Sequence, residues 1–252
     1  MTGPGSGSGS VRRGVPEALF FGVRYEGLAP RTSEPDRASA MGFCLSRLTS
    51  ARMTRVFLLS PANSSGIRMQ LLLRPAARFD LAQRLRRGQA TIGEAFQFAS
   101  GLYFRGKLAY ARAFARPPQG VPGDLVIAPG AGLVPGATPI DPELLRAMGA
   151  VPVDEDEPRF TGPLEEASRQ LDAILGPAAE VVLLGSVASP KYVGTLLRVF
   201  GPRLLFPSDF VGRGDMSRGG LMLRSVKAGT ELTYAPVEGA VLHGKRPPKL
   251  PR

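Results

Sequence analysis

Four short apolar runs, each stopped at once by proline or glycine, constrain the fold of this chain more than any other feature. Val56–Ser60 meets Pro61, Asp124–Ala128 meets Pro129-Gly130, Glu180–Leu184 meets Gly185, and Arg203–Phe206 meets Pro207. Apolar side chains that run on without alternating mark strands buried on both faces, as in a parallel sheet. Helical patterns lie between them. Ile67 to Leu85 carries Met69, Leu72, Leu73, Leu81 and Leu85, with a break expected near Pro75. Thr91 and Glu94 have the spacing of a capping box and open a helix that runs to Pro117-Pro118, with Gly101 and Gly106 as weak points. Asp141 caps a short helix, and Thr161 is expected to cap Leu164–Leu175, which Gly176-Pro177 ends. Tyr192–Phe200 and Met216–Val226 complete the helices, and Thr230–Leu242 reads as one or two further strands. Strand and helix in alternation predict a single α/β domain, a mainly parallel sheet with helices on both faces.

That domain is expected to span residues 53–252. Met53 opens a segment that leads directly into the first apolar run, and 200 residues from there suffice for a well-buried core. Residues 1–52 begin with Gly/Ser repeats, show no sustained period and hold the only cysteine, Cys44. They are expected to be disordered or a spurious N-terminal extension.

The chain carries 32 Lys and Arg against 21 Asp and Glu, a formal +11. Its first 52 residues hold seven Arg and four acids, so the remainder keeps 25 basic residues against 17 acidic, or +8. An Arg-rich excess points to an anionic small molecule or a nucleic acid as partner. A GC-rich coding bias enriches Arg, Ala, Gly and Pro together and accounts for the same numbers. One cysteine excludes an intramolecular disulfide, and no Cys/His pattern suits structural zinc. The only histidine, His243, sits in a Pro-rich tail and is not expected to be a catalytic base, which needs a held geometry that such a tail rarely supplies. No apolar run approaches the ~20 residues of a membrane span, so a cytoplasmic location without membrane partners is expected. Neither cofactor nor metal is expected. Gly130-Ala131-Gly132 begins like a dinucleotide fingerprint, but position 135 is proline and no long helix opens there.

Ligands of parallel sheets sit beyond the carboxyl ends of the strands, which singles out three loops. Ser60-Pro61-Ala62-Asn63-Ser64-Ser65-Gly66 offers hydroxyls and amides to an anion; its bland reading is a turn rich in helix caps. Gly185-Ser186-Val187-Ala188-Ser189-Pro190-Lys191-Tyr192 follows the clearest strand. Its glycine permits close approach, and Lys191 occupies a first helical turn where the dipole disfavours a cation. Phe206 to Gly220 holds Asp209, Arg213, Asp215 and Arg218. Here Asp215 and Asp209 are the acid/base candidates and Arg213 and Arg218 the anion clamp, with Ser60, Asn63, Ser186 and Lys191 lining the pocket. Alternatively, Asp215 caps the next helix and pairs with Arg218 three residues along. Leu102 to Arg112 interleaves aromatic and basic residues. That suits nucleic-acid stacking, or an amphipathic helix with its aromatics in the core and its basic residues in water.

Phe57-Leu58-Leu59-Ser60-Pro61-Ala62 resembles the opening strand and Ser-Pro-Ala turn of the peroxide-stress resistance family, cytoplasmic DNA-associated proteins. Leu102-Tyr103-Phe104-Arg105-Gly106-Lys107-Leu108-Ala109-Tyr110-Ala111, with Leu125-Val126-Ile127-Ala128 and Gly132-Leu133-Val134-Pro135, is similar to an uncharacterised bacterial domain family with a basic Leu-Tyr helix, a strand and a Gly-Leu-x-x-Pro turn. The likeness implies a bacterial α/β domain near nucleotide or nucleic-acid chemistry and supplies no catalytic residue. The leading expectation is a nucleotide- or nucleic-acid-directed protein, an enzyme acting on a glycosidic or phosphate bond. The alternative is a non-enzymatic, basic DNA-binding or stress-associated protein.

Overall fold

The computed structural model describes residues 53–188 and 190–240. Expectations for residues 1–52 and for His243 therefore lie outside the described residues. Among the described residues, six strands form one sheet in the order β4-β3-β1-β6-β7-β8. Its centre is β3 (Asp124–Ala128), β1 (Arg55–Leu59), β6 (Glu180–Leu184) and β7 (Leu204–Pro207), all parallel. The edge strands β4 (Gly132–Pro135) and β8 (Tyr234–Pro236) run antiparallel to their neighbours. A two-stranded ribbon of β2 (Ala90–Thr91) and β5 (Pro139–Ile140) stands apart from this sheet.

The continuous apolar runs divide cleanly between two cores because successive strand side chains point to opposite faces. Phe57, Leu59, Val126, Ala128, Val182 and Leu184 face one core, with Met69, Phe96, Phe104, Tyr110 and Met222. Val56, Leu58, Leu125, Ile127, Val181 and Leu183 face the other, with Phe160, Leu164, Leu171, Leu196 and Phe200. The first core is covered by α1 (Ile67–Leu72), α2 (Asp80–Arg86), α3 (Ile92–Ser100), α4 (Leu102–Phe114), α5 (Pro142–Gly149) and α8 (Asp215–Ala228). The second is covered by α6 (Pro158–Leu175) and α7 (Pro190–Phe200). Helices thus cover both faces of a mostly parallel sheet.

The Thr91 side chain accepts from Glu94 N while Glu94 Oε2 accepts from Thr91 N, closing the capping box on α3. Gly101 then separates α3 from α4, with a φ of 59°. Asp141 caps α5 through Leu144 N. Thr161 does not cap the sixth helix. That helix starts one turn earlier, at Pro158 behind Glu157, and Thr161 donates its hydroxyl to Glu157 O. The helix tolerates Pro163, which sequence patterning places before it. The Gly130–Gly136 stretch is the turn and outer strand of a hairpin, β3 with β4, in which Gly130 takes a φ of 77°.

Chain crossings decide what meets at the sheet's carboxyl edge. From β1 the chain passes to β3 over the first face, and from β6 to β7 over the second, so β1 and β6 flank the point where connections diverge. Crevices at such points receive ligands in open parallel sheets. On the first face α4 crosses α8 at two glycines. A β-carbon on Gly106 would lie 2.7 Å from Gly219 O, and one on Gly219 would lie 2.7 Å from Leu102 O. This contact sets Lys107 of α4 and Arg218 of α8 beside the same strand ends.

Candidate active site

Ser60 is the first residue beyond β1 and donates its backbone N–H to Leu184 O of β6 at 3.2 Å. Its side chain meets Lys107, whose Nζ lies 2.6 Å from Ser60 Oγ and 3.1 Å from Ser60 O. Lys107 is only 1% exposed. Its ammonium also stands 4.0 Å from the centre of the Tyr103 ring, a contact that favours the cation. Burial overrides this and pulls the Lys107 pKa down to about 7; Asp215 opposes the fall and Arg218 adds to it. Near neutrality much of Lys107 is therefore an amine. An amine donates to the Ser60 carbonyl and keeps a lone pair with which to accept the Ser60 hydroxyl proton.

The second strand end completes this centre. Tyr192 of α7 turns its hydroxyl back to the loop after β6, donating to Ser186 O at 3.0 Å and accepting from Ser186 N at 3.1 Å. Burial raises the Tyr192 pKa, and a hydrogen bond to Ser60 draws it part of the way back. Gly185 makes the approach possible: a β-carbon there would lie 2.7 Å from Ser60 Cβ and 3.0 Å from both Ser60 Oγ and Tyr192 OH.

From the third strand end, Arg218 reaches inward. It donates to Phe210 O at 3.2 Å, lies over the Phe210 ring and pairs with Asp215 at 3.7 Å. Burial raises the Tyr103 pKa, and the Arg218 guanidinium beside the buried hydroxyl draws it part of the way back. Arg218 and Asp215 both act electrostatically on Lys107, Tyr103 and Tyr192.

Ser60 and Tyr192 open onto a cavity of about 580 Å³. One wall is the Ser60–Ser65 loop with Lys191, and the other runs from Met148 to Val153 beside Pro129. Asn63 lines it, although its carboxamide oxygen accepts from Ser65 N and Ser65 Oγ and so holds the turn. The sequence-derived set thus divides. Ser60, Asn63 and Lys191 line the cavity; Ser186 does not line it and only holds the Tyr192 hydroxyl through its backbone; Arg218 and Asp215 stand behind the lining and act electrostatically on Lys107, which is buried against Ser60. Asp209 is exposed, and Arg213 donates to Asp209 O and to Ser217 Oγ in the first turn of α8. Neither Asp209 nor Arg213 lines the cavity. Asp215 is the first residue of α8 and caps it through no side-chain bond, the N-cap being Gly214.

The residue that patterning misassigned is Lys107. In its helix Arg105 and Arg112 are exposed, as basic residues of an amphipathic helix should be, whereas Lys107 is buried. Its place was written in the helical period: Tyr103, Phe104, Lys107, Tyr110 and Ala111 form one buried stripe. Among the described residues, no group of three His, Cys, Asp or Glu side chains is placed to hold a metal ion. Searches against protein-family models, curated proteins and solved structures return no match to this chain.

Proposed function

We propose that this is a single-domain enzyme of nucleotide chemistry that cleaves a phosphate bond, with Ser60 as nucleophile and Lys107 as its general base. The 2.6 Å contact between Ser60 Oγ and a buried lysine of lowered pKa carries this reading. A serine hydroxyl is a weak nucleophile until a base takes its proton, and a desolvated lysine near pH 7 is suited to do so. In the first step Ser60 Oγ attacks phosphorus, its proton moves to Lys107 Nζ, and that proton then passes to the leaving oxygen. In the second, water gives a proton to Lys107 and attacks the phosphoseryl group. Phosphate departs, and Ser60 recovers the proton. Tyr192, held by both bonds to Ser186, orients the serine, and Arg218 supplies positive potential for developing charge.

Cleavage of a glycosidic bond commonly uses a pair of carboxyl groups. Neither acid candidate lines the cavity, which favours phosphate as the electrophile and moves the base from Asp215 to Lys107. The concave site at a strand-end crevice likewise favours an enzyme over a flat basic binding surface.

A fluorophosphonate probe tests the reading without knowledge of the substrate. The full chain should be labelled at Ser60, as located by mass spectrometry of the digested protein. Labelling should vanish in Ser60→Ala and fall by about 100-fold or more in Lys107→Met. An unlabelled Ser60 in the folded wild type, or undiminished labelling of Lys107→Met, refutes the proposal.

A further inference from the structure

The cavity in front of Ser60 has two unlike walls, and together they specify the shape of an occupant. The Ser60–Ser65 loop presents Ser64, Ser65 and Asn63, with Lys191 at its side. Across from it stand Met148, Val151, Pro152 and Val153. The walls meet where the end of α5 rests on the loop: a β-carbon on Gly149 would lie 3.1 Å from Ser64 O. At that point the helix end packs on the loop backbone with no side chain between them.

Charge and size then narrow the ligand. Among the described residues, Lys191 is the only charged side chain lining the cavity, and no acid lines it. One cation serves a ligand with a single anionic group. The volume of about 580 Å³ lies in the range of small-molecule sites, roughly 300–1,000 Å³. A nucleic-acid strand calls for something else, a groove of several cations following the phosphates with aromatic platforms between them. Among the described residues, Tyr192 is the only aromatic side chain of the lining, and its hydroxyl is engaged with Ser186.

We propose that the cavity takes a free nucleoside monophosphate rather than a polynucleotide. The base lies on Val151, Pro152 and Val153, the ribose hydroxyls meet the Ser64–Ser65 side, and the phosphate sits between Lys191 and Ser60. This deepens the proposed function, resting on its choice of nucleotide chemistry, and identifies the monomer as the substrate class.

Binding is measured by calorimetry on full-length Ser60→Ala, which keeps the cavity and removes the nucleophile. The probes are adenosine, guanosine, cytidine and uridine 5′-monophosphates, the corresponding nucleosides, ribose 5-phosphate, inorganic phosphate and a short single-stranded oligonucleotide. At least one monophosphate should bind about tenfold or more tightly than its nucleoside and than ribose 5-phosphate. Lys191→Glu and Val151→Asp, each verified as folded by circular dichroism, should weaken it by about tenfold or more. Equal affinity for ribose 5-phosphate removes the role of the apolar wall, and tighter binding of the oligonucleotide makes the polymer the ligand. Either result, binding of no monophosphate, or indifference to both substitutions overturns the inference. Fluorophosphonate labelling of wild-type Ser60 reports separately on the nucleophile, so intact labelling without nucleotide binding overturns this inference alone.

Discussion

Gly185 packs its bare α-carbon against Ser60 so closely that a β-carbon would intrude 2.7 Å from Ser60 Cβ. The two residues follow adjacent strands and are separated by most of the chain's α/β connections, yet their contact defines the centre of the crevice. Gly185→Ala should displace Ser60 from Lys107 and Tyr192 rather than unfold the sheet. Overpacking of this kind costs about 1–3 kcal/mol. Equilibrium unfolding should register that modest loss, while fluorophosphonate labelling falls by about tenfold or more, since small misplacements are expensive in a reacting pair. Full labelling in a stably folded Gly185→Ala protein would show that the contact does not position the serine.

Lys107 should leave a signature in stability. Its folded pKa of about 7 lies below the ordinary 10.5. Between those values the unfolded chain holds a proton that the folded chain has released, so the lysine's contribution to stability increases as pH rises through the window. The slope for one proton is about 1.4 kcal/mol per pH unit at most. The unfolding free energy of the wild type minus that of Lys107→Met should therefore climb from pH 7 to pH 10 in urea titrations. A flat difference across that range means the amine keeps its proton when buried and cannot act as a base at neutrality.

The amino end of the same strand offers a control. Arg55 is buried and pairs with Glu180 and Glu231, and Arg116 shares Glu231. Burial alone would lower the Arg55 pKa, but its two carboxylate partners raise it. Glu231→Ala leaves two arginines short of a partner, one of them buried, and should cost about 2 kcal/mol or more. At ~3.3 Å per residue, Ser60 stands about 16 Å from Arg55 along the strand. Serine labelling in this variant should match the wild type at temperatures where it is folded; a loss of labelling there would tie the two ends of the sheet together.

Sequence patterning made the central sheet legible because β1, β3 and β6 are buried on both sides, and such strands cannot alternate. It also put the loops after β1, β6 and β7 along one edge, since parallel strands necessarily share a carboxyl edge. The β3–β4 hairpin was hidden by its glycines, whose turn role at Gly130 resembles part of a phosphate loop in one dimension. Lys107 was hidden for a different reason. A basic residue within an aromatic and basic helix reads as solvated unless its partner is known, and Ser60 lies 47 residues away. The buried stripe from Tyr103 to Ala111 carried its position, but only the fold supplies the serine.

Asp215 and Arg218 allow the site's electrostatics to be tested with opposite signs. Asp215 raises the Lys107 pKa and Arg218 lowers it, both less than burial does. If the labelling rate rises with pH as Lys107 loses its proton, its midpoint should lie near 7 in the wild type. Asp215→Asn should then move that midpoint to lower pH, and Arg218→Gln to higher pH. Asp215 keeps 68% of its side chain exposed, so its effect passes partly through water and should shrink as ionic strength rises from low to physiological. Arg218 is far less exposed, at 15%, and its shift should persist in salt. The measurement is the pH dependence of labelling for the three proteins at two salt concentrations. Shifts of the same sign, or none, would mean that the third strand-end loop does not govern the ionisation of Lys107, and the role assigned to Arg218 would be withdrawn.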